Sequence, residues 1–168
     1  MEQKDYQNPI IDDPKSIIAE AFRVVRTNLQ FSSIDKPLKI ICVTSSEPTE
    51  GKSTVISNLA ISFASTGKST ILIDADMRKP KQHKIFLLEN YKGLSNLLAD
   101  DLPVEQVVNE MSIQNLHILT SGPQPPNPAE IVGSARMKKF MQEVTQKYDI
   151  VLVDTPPVNF VADASIIS

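Results

Sequence analysis

Ser46-Glu47-Pro48-Thr49-Glu50-Gly51-Lys52-Ser53-Thr54 is the stretch on which the reading of this chain turns. It fits the pattern G-x-x-x-x-G-K-[ST], except that Ser46 stands where the first glycine would be. A nearly continuous apolar run, Leu38 to Val43, precedes it, and a helical pattern from about Lys52 to Thr66, closed by Gly67, follows. Strand, loop and helix in that order suit a phosphate group. Gly51 lets the backbone turn and approach the anion closely. The N–H groups of the loop and helix start then converge on it. Lys52 offers a charge to the β and γ phosphates, and Ser53 offers a hydroxyl to Mg²⁺. Thr49, Glu50 and Thr54 complete the expected ATP-binding loop.

Further apolar runs at Thr70–Ile73, Leu116–Leu119 and Asp149–Val153 read as strands buried on both faces, the mark of a parallel sheet. Helical patterns lie between them: two short ones at Leu94–Leu98 and Val104–Val108, and a longer one ending near Lys147. Strands that alternate with helices predict an α/β fold of the P-loop NTPase type, mainly parallel and flanked by helices. Two of the strands end in carboxylates: Ile73-Asp74-Ala75-Asp76 and Val153-Asp154-Thr155-Pro156-Pro157. Ligands of an open parallel sheet bind outside the carboxyl ends of its strands, so Asp74, Asp76 and Asp154 are expected to converge beside the loop. Mg²⁺ is held by few carboxylates together with phosphates and water, and Asp154 suits the task of orienting that water shell.

Upstream, residues 1–13 are polar and without periodicity, and read as a flexible arm; residues 14–168 read as the domain. Asp13-Pro14 is the expected start of a helix. Its residues Ile17, Ile18, Ala21, Phe22, Val25 and Leu29 are expected to form an apolar face, with Glu20, Arg23 and Arg26 on the opposite side.

The bulk properties narrow the function. At 41% hydrophobic and 22% charged, the 168 residues can build one core. A net charge of −3 disfavours nucleic acid and anionic membrane as partners, so any basic function is local. The local basic run is Arg78, Lys79, Lys81 and Lys84. The single cysteine, Cys42, allows no internal disulfide and is expected to be a small buried residue of its strand. His83 and His117, the only histidines, are expected to be structural, and no His/Cys cluster suggests zinc. The apolar runs are too short to span a bilayer and the N-terminus lacks a signal-peptide pattern, which predicts a cytoplasmic location.

Taken together, these motifs resemble the bacterial tyrosine kinases of capsule and exopolysaccharide synthesis, P-loop enzymes unrelated in fold to eukaryotic protein kinases. Ser46–Thr54 is similar to that family's Walker A, Asp74-Ala75-Asp76-Met77-Arg78-Lys79-Pro80 to its A-prime motif, and Val153–Pro157 to its Walker B. Glu20-x-x-Arg23-x-x-Arg26 is similar to the helical motif through which those kinases form rings. The segment Pro126-Asn127-Pro128-Ala129-Glu130 also looks familial. The resemblance runs from about residue 14 to the end.

The resemblance implies that Lys52 binds phosphate, that Ser53, Asp76 and Asp154 hold Mg²⁺, and that Asp74 is the base for a tyrosine hydroxyl. It also implies ATP as donor, protein tyrosines as substrates, and a ring-like homo-oligomer built through Glu20, Arg23 and Arg26. The two-chain Gram-positive arrangement implies a membrane adaptor that activates the kinase with its cytoplasmic tail and recruits it to the inner face of the membrane. Family members continue beyond this chain's length, with more sheet and a tyrosine-rich tail. Here only Tyr6, Tyr91 and Tyr148 occur, unclustered, and the chain reads as C-terminally shortened. Two alternatives stay open. MinD/ParA-like ATPases share the A-prime arrangement, but carry an extra lysine early in the loop where this chain has Ser46 and Glu47. A non-catalytic nucleotide-binding assembly module is the other.

Overall fold

The computed structural model describes residues 9–32, 37–47 and 50–157. Among the described residues, five strands form one sheet in the order β1-β5-β2-β4-β3. They are β1 (Ile40–Val43), β2 (Thr70–Asp74), β3 (Val108–Glu110), β4 (Leu116–Leu119) and β5 (Ile150–Asp154). The first, second, fourth and fifth are parallel, while β3 runs antiparallel along β4. The helices are α1 (Pro9–Asp12), α2 (Ile17–Phe31), α3 (Lys52–Ala64), α4 (Gln82–Ile85), α5 (Leu94–Asp100), α6 (Pro128–Val132) and α7 (Ala135–Lys147).

Strand pleating sorts the core into two halves. Ile71, Ile73, Val151 and Val153 face the layer of α5, α6 and α7, where Leu94, Leu98, Met137, Phe140 and Val144 meet them. Leu72, Leu152, Ile118 and Ile150 face the other way, against Ile56, Leu59, Ala60 and Phe63 of α3. All five residues of both β2 and β5 are buried, which is why these strands read as unbroken apolar runs. From Ile56 to Ala64 every residue of α3 is buried as well, because α2 lies over the helix on the side away from the sheet.

Several expectations need correction. The segment read as a short helix at Val104–Val108 is a single 3-10 turn, Val104–Gln106, that leads into the edge strand β3. Helix α2 starts at Ile17 and not at Pro14; Ser16 caps it by accepting the N–H of Ala19. Within the stretch read as an arm, Pro9–Asp12 form one helical turn; residues 1–8 lie outside the described residues. Cys42 is exposed, not buried. Its strand, β1, is the end strand of the described sheet. Ile41 turns toward α3 and is buried, while Cys42 points to the opposite face at the sheet's margin.

The faces of α2 are also not as the periodicity suggested. Ala19, Phe22, Arg26 and Leu29 lie toward the body of the protein, whereas Ile17, Ile18, Val24, Val25 and Phe31 point outward. Ile17 is 90% exposed and Phe31 77%. The inner contact is partly polar: Arg26 Nη1 donates to the Ser62 carbonyl of α3 at 2.7 Å and to Ser62 Oγ at 3.2 Å. A guanidinium that can reach a carbonyl of the neighbouring helix is held there, and its aliphatic stem covers apolar surface on the way.

Candidate active site

Strand register assembles the site. Val43, Asp154 and Asp74 are partners across three adjacent strands, so the loops that leave β1, β5 and β2 all emerge from one edge of the sheet. The loop after β1 enters α3 through Gly51, whose φ of +86° is open to glycine at little cost. Among the expected loop residues, Thr49 lies outside the described residues. The carboxylate of Glu50 folds back within the loop and accepts from the Ser46 N–H at 3.1 Å, the Ser46 hydroxyl at 3.0 Å and the Glu47 N–H at 3.3 Å. The residue that departs from the glycine pattern therefore ties the loop together through its own side chain. Ser53 and Thr54 open α3.

Lys52 does not stand free over the loop. Its Nζ donates to Asp154 Oδ1, in an ion pair whose side chains are 7% and 0% exposed. Asp154 Oδ2 accepts a second hydrogen bond, from Gln82 Nε2 at 2.7 Å. The same Gln82 amide donates to the Ser53 carbonyl at 3.2 Å, and so links the first turn of α3 to the end of β5. A buried carboxylate is tolerable only when paired and hydrogen-bonded, and Lys52 and Gln82 meet both needs.

Asp74 is fully buried beside it. Its Oδ2 accepts the backbone N–H of Lys81 at 3.0 Å and of Gln82 at 2.9 Å. Its Oδ1 has no partner among the described residues. Burial, then the neighbouring Asp154 charge and more weakly that of Asp76, push the Asp74 carboxyl up to about 7, against the pull of the two N–H bonds. Asp76, also buried, accepts the Lys79 N–H at 3.0 Å. Asp74 and Asp154 thus come together with Lys52, while Asp76 is turned to its own loop. No group of three metal-ligating side chains occurs among the described residues. Mg²⁺ with a nucleotide does not need one, since phosphate oxygens and water complete its shell. Two buried acceptors without partners, Asp74 Oδ1 and Gln82 Oε1, fit the polar surroundings such a group needs.

Gln82 was missed from sequence. It sits inside a basic run, one residue past Lys81, and neither its type nor its spacing belongs to a phosphate or metal motif. The expected stripe Glu20, Arg23, Arg26 is divided. Glu20 and Arg23 form an exposed pair at 2.6 Å, with Arg23 also donating to the Pro14 carbonyl, whereas Arg26 is spent on Ser62.

A family model described as an AAA domain matches residues 38–167. The tyrosine-protein kinase YwqD of Bacillus subtilis is 48% identical over 155 residues, which are 92% of this chain and 65% of that protein. CapB of Staphylococcus aureus is 42% identical over 155 residues, 92% of this chain and 68% of that protein. The chain belongs to the bacterial tyrosine-kinase family. It spans about two thirds of the length of these two relatives of the family. Among solved structures, the chimerical protein CapA2B2 aligns with a TM-score of 0.91 at 42% identity, over 95% of this chain and 70% of that one. The fold is shared more widely: the septum site-determining protein MinD of Pyrococcus horikoshii, solved with Mg-ADP, aligns at 22% identity with a TM-score of 0.60, over 71% of this chain and 49% of that one. No helix of the described residues is long and apolar enough to cross a membrane.

Proposed function

We propose that the chain is the catalytic part of an ATP-dependent protein-tyrosine kinase that regulates capsular or exopolysaccharide synthesis or export. One observation carries this reading: a buried aspartate, Asp74, held by two backbone N–H groups, with one oxygen unpartnered and its carboxyl pushed up to about 7. A carboxylate poised near neutral pH is suited to take the proton of a tyrosine hydroxyl. Bound Mg-ATP supplies the phosphoryl group. Gly51, Lys52, Ser53 and Thr54 at the start of α3 are the residues to hold its phosphates, with Thr49 and Glu50 before them. Ser53, Asp76 and Asp154 are the residues to hold the metal, in part through water. The lysine that MinD/ParA-like ATPases carry early in the loop has no counterpart at Ser46 or Glu47, which speaks against that alternative.

The same reading includes a membrane adaptor whose cytoplasmic tail activates the kinase at the inner face of the membrane. It also includes a ring-like self-assembly through α2. The outward residues Ile17, Val24 and Phe31, spaced seven apart, lie on the same helix as the Glu20–Arg23 pair and give such a contact an apolar centre. The test is mass spectrometry for phosphotyrosine after incubation of the chain with Mg-ATP, a tyrosine peptide and the adaptor tail. Phosphotyrosine supports the kinase; release of inorganic phosphate with no phosphotyrosine supports an ATPase instead.

A further inference from the structure

The acidic pair is bordered by a cationic loop that its own carboxylates, with Asp76, hold in place. From the end of β2 into α4 the chain runs Asp76-Met77-Arg78-Lys79-Pro80-Lys81-Gln82-His83-Lys84. The Lys79 N–H is bound by Asp76, and the Lys81 and Gln82 N–H groups by Asp74. The backbone of this loop is therefore fixed by the side chains that end β2. Met77 anchors it further, buried in the core cluster under α5 and α7.

The side chains of Arg78, Lys79, Lys81 and Lys84 are exposed. None of them forms an ion pair among the described residues, although the chain as a whole is acidic. Among the described residues, the cations that find carboxylate partners are Arg23, Lys52, Lys139 and Lys147. A mobile basic loop would be an ordinary solvated run. A basic loop whose backbone is pinned to the buried acids of the site instead presents its charges at a set place beside them. Fixed positive charge at a site entrance draws in and orients an anionic ligand.

We propose that Arg78, Lys79, Lys81 and Lys84 form a docking rim for acidic residues that flank the acceptor tyrosine of a peptide. This inference rests on the tyrosine-kinase reading, and adds the class of peptide that the site selects. Carboxylate side chains on either side of the tyrosine meet the rim, and the hydroxyl is left to Asp74. Lys52, buried in its pair with Asp154, takes no part in the rim.

The experiment is fluorescence anisotropy of three labelled peptides that differ only in the residues around one tyrosine: Glu, Gln or Lys. The wild-type chain is expected to bind the Glu peptide about tenfold more tightly than the Gln peptide, and the Lys peptide more weakly still. Raising the salt to a few hundred millimolar should remove most of the difference. In the variant Arg78→Gln, Lys79→Gln, Lys81→Gln, Lys84→Gln the Glu and Gln peptides should bind alike, while affinity for a fluorescent ADP analogue stays within twofold. Equal binding of the three peptides to the wild-type chain overturns the rim, whether or not the variant folds. Loss of the ADP analogue in a folded variant also overturns it, because the cations would then serve the nucleotide. If the Glu peptide binds preferentially but never gains phosphate, the rim stands and the kinase reading fails; if peptides gain phosphate without preference, the reverse holds.

Discussion

Asp74 and Asp154 stand opposite one another on adjacent parallel strands, and the amide side chain and backbone N–H of Gln82 bond to one each. Two buried carboxylates this close cannot both ionise freely. Lys52 and the Gln82 side chain both bond to Asp154, whereas the Asp74 carboxyl is pushed up to about 7 by its burial and by the neighbouring Asp154 charge.

This has a consequence for stability. The folded protein holds a proton on Asp74 up to about pH 7, whereas the unfolded chain releases it near pH 4. Between these values the folded state binds more protons, so stability falls as pH rises and the cost is complete above pH 7. Asp74→Asn keeps an acceptor for the Lys81 and Gln82 N–H groups without the charge. It should raise the melting temperature at pH 8, by up to about 4 kcal/mol of stability, and make little difference at pH 4. Thermal melts at the two pH values check this; a variant that is less stable than wild type at pH 8 would contradict it.

Lys52→Met should do more than remove a phosphate ligand. From the sequence, Lys52 is expected only to offer its charge to the phosphates. In the structure it is the counterion of a wholly buried Asp154. Removing one partner of such a pair costs about 3 kcal/mol or more, a fall of roughly 10 °C in a domain of this size. The double variant Lys52→Met, Asp154→Asn should recover most of that loss and still fail to bind a nucleotide. Calorimetric melts with and without ADP separate the two effects.

Gln82→Leu preserves bulk but withdraws both side-chain hydrogen bonds, to Asp154 and to the Ser53 carbonyl. Leaving the Asp154 oxygen short of a partner should cost about 1–3 kcal/mol. Because the same amide positions the start of α3 against β5, nucleotide affinity should drop alongside stability. Isothermal titration with Mg-ADP, run beside a urea melt, measures both. Unchanged values would mean that the amide is a bystander.

On α2 the three charged residues should behave differently from one another. Arg26→Ala removes a charged donor to Ser62 of α3 and should destabilise by about 1–3 kcal/mol. Glu20→Ala breaks only an exposed pair, worth about 0–1 kcal/mol. A triple alanine variant therefore mixes folding with assembly. Ile17→Glu with Phe31→Glu is the cleaner probe, since both side chains already point to solvent. Their melting temperature should match wild type, and light scattering should report a smaller assembly if α2 mediates one.

Much of this architecture is legible in the sequence, for physical reasons that also explain the errors. The strands β1, β2, β4 and β5 read correctly because sheets covered on both faces demand continuous apolar runs. The phosphate loop and the two acidic strand ends stand out because glycine, lysine and aspartate are expensive elsewhere in such runs. The segment Val104–Val108 misleads because three valines in five residues suit a helix or a strand equally. In α2 the apolar residues are frequent enough to line either side, and it is Arg26 reaching Ser62 that identifies the inner one. Cys42 looks buried because position at the margin of a sheet is a tertiary fact. Gln82 acts through three contacts spread over the chain, at Ser53, Asp74 and Asp154, and no local pattern announces it.

The most direct measurement of the central claim is transfer of phosphate from Mg-ATP to a tyrosine peptide by the wild-type chain and by Asp74→Asn, quantified by mass spectrometry, with ADP affinity measured on both. If Asp74 is the base, wild type forms phosphotyrosine, with a rate that rises as the pH passes through about 7, and Asp74→Asn loses about 100-fold or more of that rate while ADP affinity stays within a few-fold. A variant as fast as wild type, or a wild-type chain that hydrolyses ATP in the presence of the adaptor tail without forming phosphotyrosine, would contradict the account.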